Sequence, residues 1–329
     1  MAHRERLGYD LEGRSVLGRR TLLKAALAGA AAAVVTPAWA THLRTKFRKN
    51  VRLGITTQVY AKLPLDQAAR QIKDDGFRSV LTNFRFADVQ FDPLKPDWAA
   101  AKKIVDALAK QDIAIGALYG YYNLVDPVEK RRQEGEARME CLLRNWKRLG
   151  CKIISTETGT YNAQSPWADA PENTTEEAYL KCRAAIERWA KLAEKMDAVF
   201  TIEVTCKNII GSIERVERVF KEVDSPALQL VGDPANYFSA ENLKQMKPLL
   251  KDLFTRLGPK IALVHAKDVA VTEKGTETPA AGLGEMDYPL FLRLVAELDR
   301  PIDVLLEHVK IEDVARARDF VLGHVEKLP

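Results

Sequence analysis

Eight short apolar segments rich in β-branched residues alternate with amphipathic segments of helical periodicity between residue 51 and the end of the 329-residue chain. Some of them, such as Ile261-Ala-Leu-Val264, are unbroken apolar runs, which is typical of parallel strands buried on both faces. Eight strand–helix units predict an α/β fold, a single (β/α)8 TIM barrel. The predicted strands are residues 51–58, 77–83, 113–119, 152–157, 198–205, 228–233, 261–266 and 302–307. The predicted helices are residues 64–75, 97–111, 126–149, 175–195, 212–223, 240–254, 288–298 and 311–325.

An open, doubly wound sheet is the alternative fold for alternating strands and helices. Such a sheet would be expected to carry a glycine-rich phosphate loop after its first strand. Here the first predicted strand leads into Val59-Tyr-Ala-Lys-Leu-Pro64, which has no Gly-x-Gly-x-x-Gly pattern. The barrel is therefore favoured.

The first forty residues have the layout of an export signal. Arg19-Arg20 precedes an apolar run of eleven residues, and Ala38-Trp-Ala40 supplies small residues before a cleavage point. The arginine pair resembles the twin-arginine type, so the export machinery is an expected partner of the precursor. Eleven apolar residues reach only about half-way across a bilayer, which argues against a membrane anchor. We expect a signal peptide at residues 1–40, a connector at 41–50, and a barrel at 51–329 that works in the periplasm or outside the cell.

The net charge argues against a nucleic-acid partner. The chain has 50 basic and 45 acidic side chains, but six of the basic and three of the acidic ones lie in residues 1–40. The remaining 44 and 42 nearly balance, so the predicted barrel carries no basic footprint. The four cysteines form no Cys-x-x-Cys pair, which argues against a thiolate zinc site.

Four polar residues end four successive predicted strands, five to eight: Glu203, Asp233, His265 and Glu307. The carboxyl ends of barrel strands meet at one mouth, so these side chains are expected to converge there. Three carboxylates would repel one another and lose hydration unless a cation neutralised them. Three oxygen ligands with one nitrogen ligand predict a site for one divalent ion, with Mn²⁺ favoured and Mg²⁺, Co²⁺ or Zn²⁺ as further candidates.

Around these residues the chain resembles the sugar phosphate isomerase/epimerase superfamily of xylose-isomerase-like barrels. The resemblance covers residues 51–325 and includes Asp233-Pro-Ala-Asn-Tyr-Phe238, Val264-His-Ala-Lys-Asp268 and Gly282-Leu-Gly-Glu-Met-Asp-Tyr-Pro-Leu-Phe291. It implies that the four strand-end residues bind the ion and that Glu203 and Glu307 also form an acid/base pair. Many epimerases of this superfamily have a histidine three residues after the metal-binding aspartate, where this chain has Asn236.

Five further residues are candidates for substrate contact: Tyr119, Glu157, Trp167, Asn236 and Lys267. Glu157 ends the fourth predicted strand and would either reach a sugar hydroxyl or stabilise its own loop. Tyr119 and Trp167, with other aromatic residues including Tyr60, Phe84 and Tyr122, would form either a wall for a sugar or part of the core. His308 follows Glu307, so strand alternation points it to the opposite face in a structural role.

The chemistry of this constellation is proton abstraction next to a carbonyl. A divalent ion that holds two oxygens of a keto-sugar makes the neighbouring C–H acidic, and a carboxylate removes the proton to give an enediolate. This predicts an isomerase or epimerase of a small carbohydrate. A lyase or hydrolase that cleaves 3-keto-glycosides through the same enediolate is an alternative, and a non-enzymatic sugar-binding barrel is another. The sequence is also compatible with a homo-oligomer. A zinc endonuclease on this barrel is disfavoured because only four histidines follow residue 40.

Export is expected to require the arginine pair. Replacing Arg19 and Arg20 together by Lys should leave the precursor in the cytoplasm, because the receptor recognises the arginines and not only their charge. Cell fractionation with immunoblotting measures the outcome. Normal export of the doubly substituted chain would identify the segment as a general secretory signal.

Overall fold

The computed structural model describes residues 40–273 and 275–329. The predicted signal peptide up to residue 39, including Arg19 and Arg20, lies outside the described residues. In the described part of the chain, no helix combines the length and the apolar character that crossing a membrane requires.

Eight parallel strands close into a barrel in the order β1-β10-β7-β6-β5-β4-β3-β2, which confirms the predicted fold. The barrel strands are β1 (Val51–Thr56), β2 (Ser79–Thr82), β3 (Ala114–Tyr119), β4 (Ile153–Glu157), β5 (Val199–Glu203), β6 (Leu228–Gly232), β7 (Ile261–Ala266) and β10 (Ile302–Leu306). At the closing seam, Val51 of β1 pairs with Ile302 of β10. Arg52 reinforces this seam with two charge-assisted hydrogen bonds, of 2.7 and 2.8 Å, to the buried carboxylate of Asp303.

Helices pack around the outside of the barrel and cover the outward-facing side of its strands. They are α1 (Ala40–Asn50), α2 (Leu65–Asp74), α3 (Trp98–Lys110), α4 (Glu129–Leu149), α5 (Glu176–Met196), α6 (Ile213–Val223), α7 (Met246–Leu257), α8 (Tyr288–Glu297) and α9 (Val314–Val325). The Thr175 and Ser212 hydroxyls cap α5 and α6 by accepting backbone hydrogen bonds. The helix predicted from residue 240 begins only at Met246, because Ser239 donates its backbone N–H to the Asn242 side chain in a polar turn.

The segment predicted as a connector, residues 41–50, is helical. Leu43 and Phe47 of α1 are buried, and the backbone N–H of Leu43 donates to the carbonyl of Pro329 at 3.1 Å. Lys46 forms an ion pair with Asp299 at 2.8 Å. The basic residues that suggested a loose connector therefore occupy the polar side of a helix that packs on the barrel.

A short antiparallel hairpin, absent from the sequence prediction, follows β7. It consists of β8 (Ala270–Thr272) and β9 (Gly275–Glu277). Asp268 organises the surrounding loop, because its carboxylate accepts hydrogen bonds from the backbone N–H groups of Val269, Gly282 and Met286.

The four cysteines are free thiols. Cys151 and Cys182 are buried, whereas Cys141 and Cys206 are half-exposed. Cys206 lies beyond the end of β5 and lines the cleft at the barrel mouth.

Below that mouth, the interior is filled by apolar side chains from β2, β3, β6, β7 and β10: Leu81, Ala117, Val231, Leu263 and Leu305. Gly54 belongs to the same tightly packed interior, since a Cβ added there would clash with the carbonyl of Ser79 and the side chain of Leu305. Gly323, by contrast, lies on the exposed side of α9, where an added Cβ meets no atom within 4 Å.

We expect Gly54→Ala to destabilise the protein by about 1–3 kcal/mol or more, because a backbone carbonyl cannot move aside as a flexible side chain can. Gly323→Ala is the matched control and should stabilise the protein by about 1 kcal/mol through helix propensity. Urea denaturation of both variants measures the difference. Equal free energies of unfolding for the two variants would contradict this account of the barrel interior.

Candidate functional site

The structure brings Glu203, Asp233, His265 and Glu307 together at the mouth of the barrel. Each offers one ligand atom, and these four atoms lie within 4.8 Å of one another. Glu203 is the last residue of β5, His265 lies near the end of β7, and Asp233 and Glu307 directly follow β6 and β10. These residues are about one strand–helix unit apart in sequence. Their side chains lie close together because parallel barrel strands all end at the same rim.

The imidazole of His265 lies at the centre of the three carboxylates. Its Nδ1 is 3.4 Å from Glu203, 3.5 Å from Asp233 and 3.3 Å from Glu307. Both ring nitrogens and Oδ1 of Asp233 are buried, and none has a hydrogen-bond partner among the described residues. A buried polar atom without a partner costs about 1–3 kcal/mol, so such atoms rarely converge without a ligand. Three carboxylates and one imidazole with unsatisfied atoms fit a divalent cation that prefers oxygen and nitrogen ligands.

The ammonium group of Lys267 lies among the same carboxylates. Its Nζ is 2.6 Å from Asp233, 3.1 Å from Glu307 and 3.5 Å from Glu203. The side chain is buried, and the carbonyl of Lys267 accepts a hydrogen bond from the hydroxyl of Tyr288. Lys267, predicted as a substrate contact, is therefore also an internal counter-ion of the carboxylate cluster.

The cluster shifts the pKa of each of its members. Burial alone would raise the pKa of Glu203 and Glu307, but the charges of His265 and Lys267 outweigh it. The pKa of Glu203 falls well below its usual range and that of Glu307 falls to about 2. Burial raises the pKa of Asp233 despite the attraction of Lys267. Although burial opposes it, the adjacent glutamates raise the pKa of His265 well above its usual value.

Two polar side chains hold Glu203 in place. The Asn236 amide donates to Glu203 Oε1 at 2.7 Å and to Asp233 Oδ2 at 3.2 Å, and the hydroxyl of Tyr121 donates to Glu203 Oε2. Burial and the charge of Glu203 raise the pKa of Tyr121, which keeps this phenol protonated as a donor. Asn236 thus contacts the carboxylates directly. Tyr121 was not among the predicted site residues, although its spacing of two residues from Tyr119 could have indicated a shared direction.

A cleft of about 330 Å³ opens above the four residues and is lined by four of the five predicted substrate contacts: Tyr119, Trp167, Asn236 and Lys267. The rings of Tyr119 and Tyr121 lie 4.5 Å apart, and Trp167 extends this wall at 6.4 Å from Tyr121. Trp167 is 48% exposed, as a side chain at an entrance would be.

Other aromatic residues of the predicted wall have different surroundings. Tyr60 is fully buried and donates its hydroxyl to Asp75, while the Tyr122 hydroxyl accepts a hydrogen bond from Trp189. Phe84 lines a neighbouring cavity.

Glu157, the fifth predicted contact, does not line the cleft. It pairs with Glu203 in the β4–β5 register and is 2% exposed. Burial, followed by repulsion from Glu203 and Asp126, raises its pKa to about 9, so it is a neutral acid at physiological pH. Glu157 supports the base of the site and does not present a carboxylate to a ligand.

His308 faces the cleft, contrary to the sequence prediction. Strand β10 ends at Leu306, and His308 adopts a left-handed backbone conformation with φ of 55°, so strand alternation no longer sets its direction. Its Nδ1 contacts Thr278, which lines the cleft together with Thr276 of the unpredicted hairpin. The β-branched residues on either side of Gly275 were the signal that could have indicated this hairpin.

A profile of xylose isomerase-like TIM barrels matches residues 69–321 of the chain. The chain belongs to this family. No curated protein sequence matches it closely enough to identify a relative.

Several solved structures resemble this chain in fold. A xylose isomerase-like barrel protein from Mycobacterium smegmatis, in complex with magnesium, is 14% identical, with coverage of 84% of this chain and 97% of that one and a TM-score of 0.62. The 3-keto-D-glucoside 4-epimerase YcjR from E. coli is 19% identical, with coverage of 84% and 99% and a TM-score of 0.62. An L-ribulose 3-epimerase is 14% identical, with coverage of 84% and 95% and a TM-score of 0.59.

Lys267→Met is expected to make the metal-free protein less stable by about 3–5 kcal/mol, because it leaves two buried carboxylates and the half-buried Glu307 short of one positive charge. Added Mn²⁺ should then raise the melting temperature of the variant more than that of the wild type, since a bound ion replaces the lost charge. Differential scanning fluorimetry after chelation and after Mn²⁺ addition measures both effects.

Lys207→Met is the control, because Lys207 lines the same cleft but is exposed. Lys207→Met should change neither the stability of the metal-free protein nor the rise in melting temperature on addition of Mn²⁺. A Lys267→Met protein with the wild-type melting temperature in the metal-free state would show that the ammonium does not neutralise the cluster.

Proposed function

We propose that the chain is a divalent-metal-dependent isomerase or epimerase that acts on a sugar or keto-sugar by abstracting the proton next to a carbonyl. The supporting observation is the convergence of two carboxylates, Glu203 and Glu307, with Asp233 and His265 in one cleft of sugar-binding size. The names of two structural neighbours, a keto-glucoside epimerase and a ribulose epimerase, agree with this class of substrate.

Glu203, Asp233, His265 and Glu307 would hold the ion. When bound, a divalent ion polarises a substrate carbonyl and stabilises the negative charge that develops on its oxygen. The donor set favours Mn²⁺, with Mg²⁺, Co²⁺ and Zn²⁺ as further candidates. The magnesium in the mycobacterial neighbour agrees with an oxygen-rich site.

The two glutamates differ in how many of their carboxylate oxygens already accept a hydrogen bond. Both carboxylate oxygens of Glu203 accept hydrogen bonds, from Asn236 and Tyr121. Glu307 is bonded through Oε2 to Lys267, and its Oε1 accepts no hydrogen bond from the described residues. We assign the first proton abstraction to Glu307, since an unoccupied oxygen is available to take the proton.

The proton removed by Glu307 leaves its electron pair on the carbon–oxygen framework of the sugar as an enediolate. Lys267, 3.1 Å from Glu307, supplies positive charge on that side of the cleft. In an epimerase, Glu203 would first take up a proton from solvent and deliver it to the opposite face, while Glu307 releases to solvent the proton that it removed. In an isomerase, the proton would go to the neighbouring carbon instead. Glu203 ends β5 and Glu307 directly follows β10, and these strands are separated by β6 and β7 in the ring, so the two carboxylates reach the cleft from different sides.

A lyase or hydrolase that cleaves keto-glycosides is the second candidate. An enediolate with a glycosidic oxygen on the adjacent carbon expels that oxygen, and a second cavity that shares Gln58, Tyr119 and Tyr121 with the cleft is near enough to take a leaving group. The same initial proton abstraction serves both candidates.

We also propose export through the twin-arginine route, with a working location in the periplasm or outside the cell. The support is the sequence pattern of residues 1–40.

Glu203→Gln and Glu307→Gln should each reduce turnover by about 10²–10⁴-fold, because Gln keeps the shape and one oxygen but loses the base. Proton–deuterium exchange into a panel of keto-sugars and keto-glycosides in D₂O, followed by NMR, measures abstraction whichever product forms. Glu307→Gln should lose exchange, whereas Glu203→Gln should retain exchange from one face of the sugar.

Metal content measured on the same samples is the control, since both Gln variants are expected to retain measurable binding. Near-normal turnover in both variants with the ion bound would rule out the carboxylate pair as the catalytic groups.

A further inference from the structure

A second cavity adjoins the cleft on the side of β2 and β3. It also has a volume of about 330 Å³, and three residues line both spaces: Gln58, Tyr119 and Tyr121. Tyr121 donates its hydroxyl to Glu203, so the wall between the two spaces is tied to the catalytic cluster. We call this space the second compartment; its other lining residues come from the end of β2, the loop after it, the loop after β3, and α4.

Two arginines on its lining are available to bind oxygen acceptors. Arg85 is exposed, and its guanidinium makes no ion pair or hydrogen bond with the described residues. Arg138 has only a 4.0 Å contact with Glu134 on its own helix, which contributes little. Asn83 adds a buried side-chain oxygen that lacks a hydrogen-bond partner in the described part of the chain. Donors and an acceptor therefore face a cavity without being satisfied by the protein.

The backbone at Phe84 shows that this wall is built at some energetic cost. Phe84 has a φ of 56°, a left-handed conformation that a bulky side chain rarely adopts. Most other non-glycine residues with positive φ in the described chain are aspartates: Asp112, Asp197, Asp224 and Asp299. The remaining one is His308, which lines the first cleft. Strained residues cluster at functional sites because the surrounding structure must hold them there.

The charge on the lining indicates which ligand it would bind. Asp92 is the acidic residue that faces Arg85 and Arg138, and its Oδ1 already accepts the backbone N–H of Leu94. The two guanidinium groups and the one carboxylate give the lining a net positive charge. Guanidinium groups pair with carboxylates through two parallel hydrogen bonds and also donate to hydroxyl oxygens. The aromatic faces of Phe84 and Tyr121 would cover the apolar side of a sugar ring.

We propose that the second compartment binds a second carbohydrate unit of the substrate, so that the enzyme acts on a disaccharide-sized glycoside and favours one whose second unit carries a carboxylate. This inference rests on the proposed function, since the first unit occupies the cleft above Glu203 and Glu307. The second unit lies beyond Tyr119 and Tyr121, with its oxygen atoms toward Arg85 and Arg138.

Binding tests the proposal without requiring turnover. Isothermal titration of the Mn²⁺-loaded protein compares glucose, maltose, cellobiose and cellobiouronic acid as probes. At least one disaccharide should bind about ten-fold or more tightly than glucose, and the uronic acid should bind more tightly than cellobiose.

Variants of the two arginines identify the compartment responsible. Arg85→Ala with Arg138→Ala should weaken disaccharide binding by about 10–100-fold, the effect of losing charge-assisted hydrogen bonds. Glucose affinity and Mn²⁺ affinity should stay at wild-type values. Arg144→Ala is the matched control, because Arg144 lies on the same helix and pairs with Glu140 away from the cavity. It should leave all affinities unchanged.

The results separate this proposal from the proposed function. If no disaccharide binds more tightly than glucose, or if the double variant binds disaccharides as the wild type does, the second compartment is not a carbohydrate site. If disaccharides bind through Arg85 and Arg138 but no keto-sugar or keto-glycoside of the exchange panel exchanges a proton in D₂O, the compartment assignment stands and the catalytic proposal fails.

Discussion

Three carboxylates at the ends of three strands, two of them buried and the third, Glu307, half-buried, create the electrostatic problem that organises the rest of the barrel mouth. Asp233 and His265 are almost completely buried, and Glu203 is nearly so. Such a group of like charges is tolerated only when cations and hydrogen-bond donors surround it. Lys267 supplies a positive charge, the imidazole of His265 lies among the carboxylates, and Asn236 and Tyr121 donate hydrogen bonds. The charges of His265 and Lys267 also lower the pKa of Glu203 and Glu307, which favours the ionised carboxylates that can accept a proton or a metal ion.

Much of the fold and the centre of the site could be predicted from sequence because both follow from periodic patterns. Buried parallel strands require apolar runs, and a polar residue that ends such a run must emerge at the rim, which is how Glu203, Asp233, His265 and Glu307 were found. The rule fails where a strand stops. Because β10 ends at Leu306, alternation no longer predicts the direction of His308.

Other features depended on three-dimensional contacts that no local pattern encodes. Glu157 was placed correctly on its strand, yet its neighbour Glu203 and its burial make it a neutral acid away from the cleft. The double role of Lys267 depends on carboxylates that lie 34 and 40 residues away in sequence, at Asp233 and Glu307. The helix at residues 40–50 was missed because its apolar residues, Leu43 and Phe47, are few among basic ones. Its packing partners include Pro329 at the other end of the chain.

The barrel cannot close until the C-terminal part of the chain is present, because β1 pairs with β10. β1 has β2 as a partner close in sequence, but its other edge pairs with β10, about 250 residues later. Until residues 302–306 have been synthesised, β1 and β7 each have one unpaired edge, and unpaired edges invite association between chains. In a nascent or truncated chain that stops before β10, the sheet therefore stays open with two unpaired edge strands. Pairing of β10 with both edges closes the barrel and protects it from aggregation.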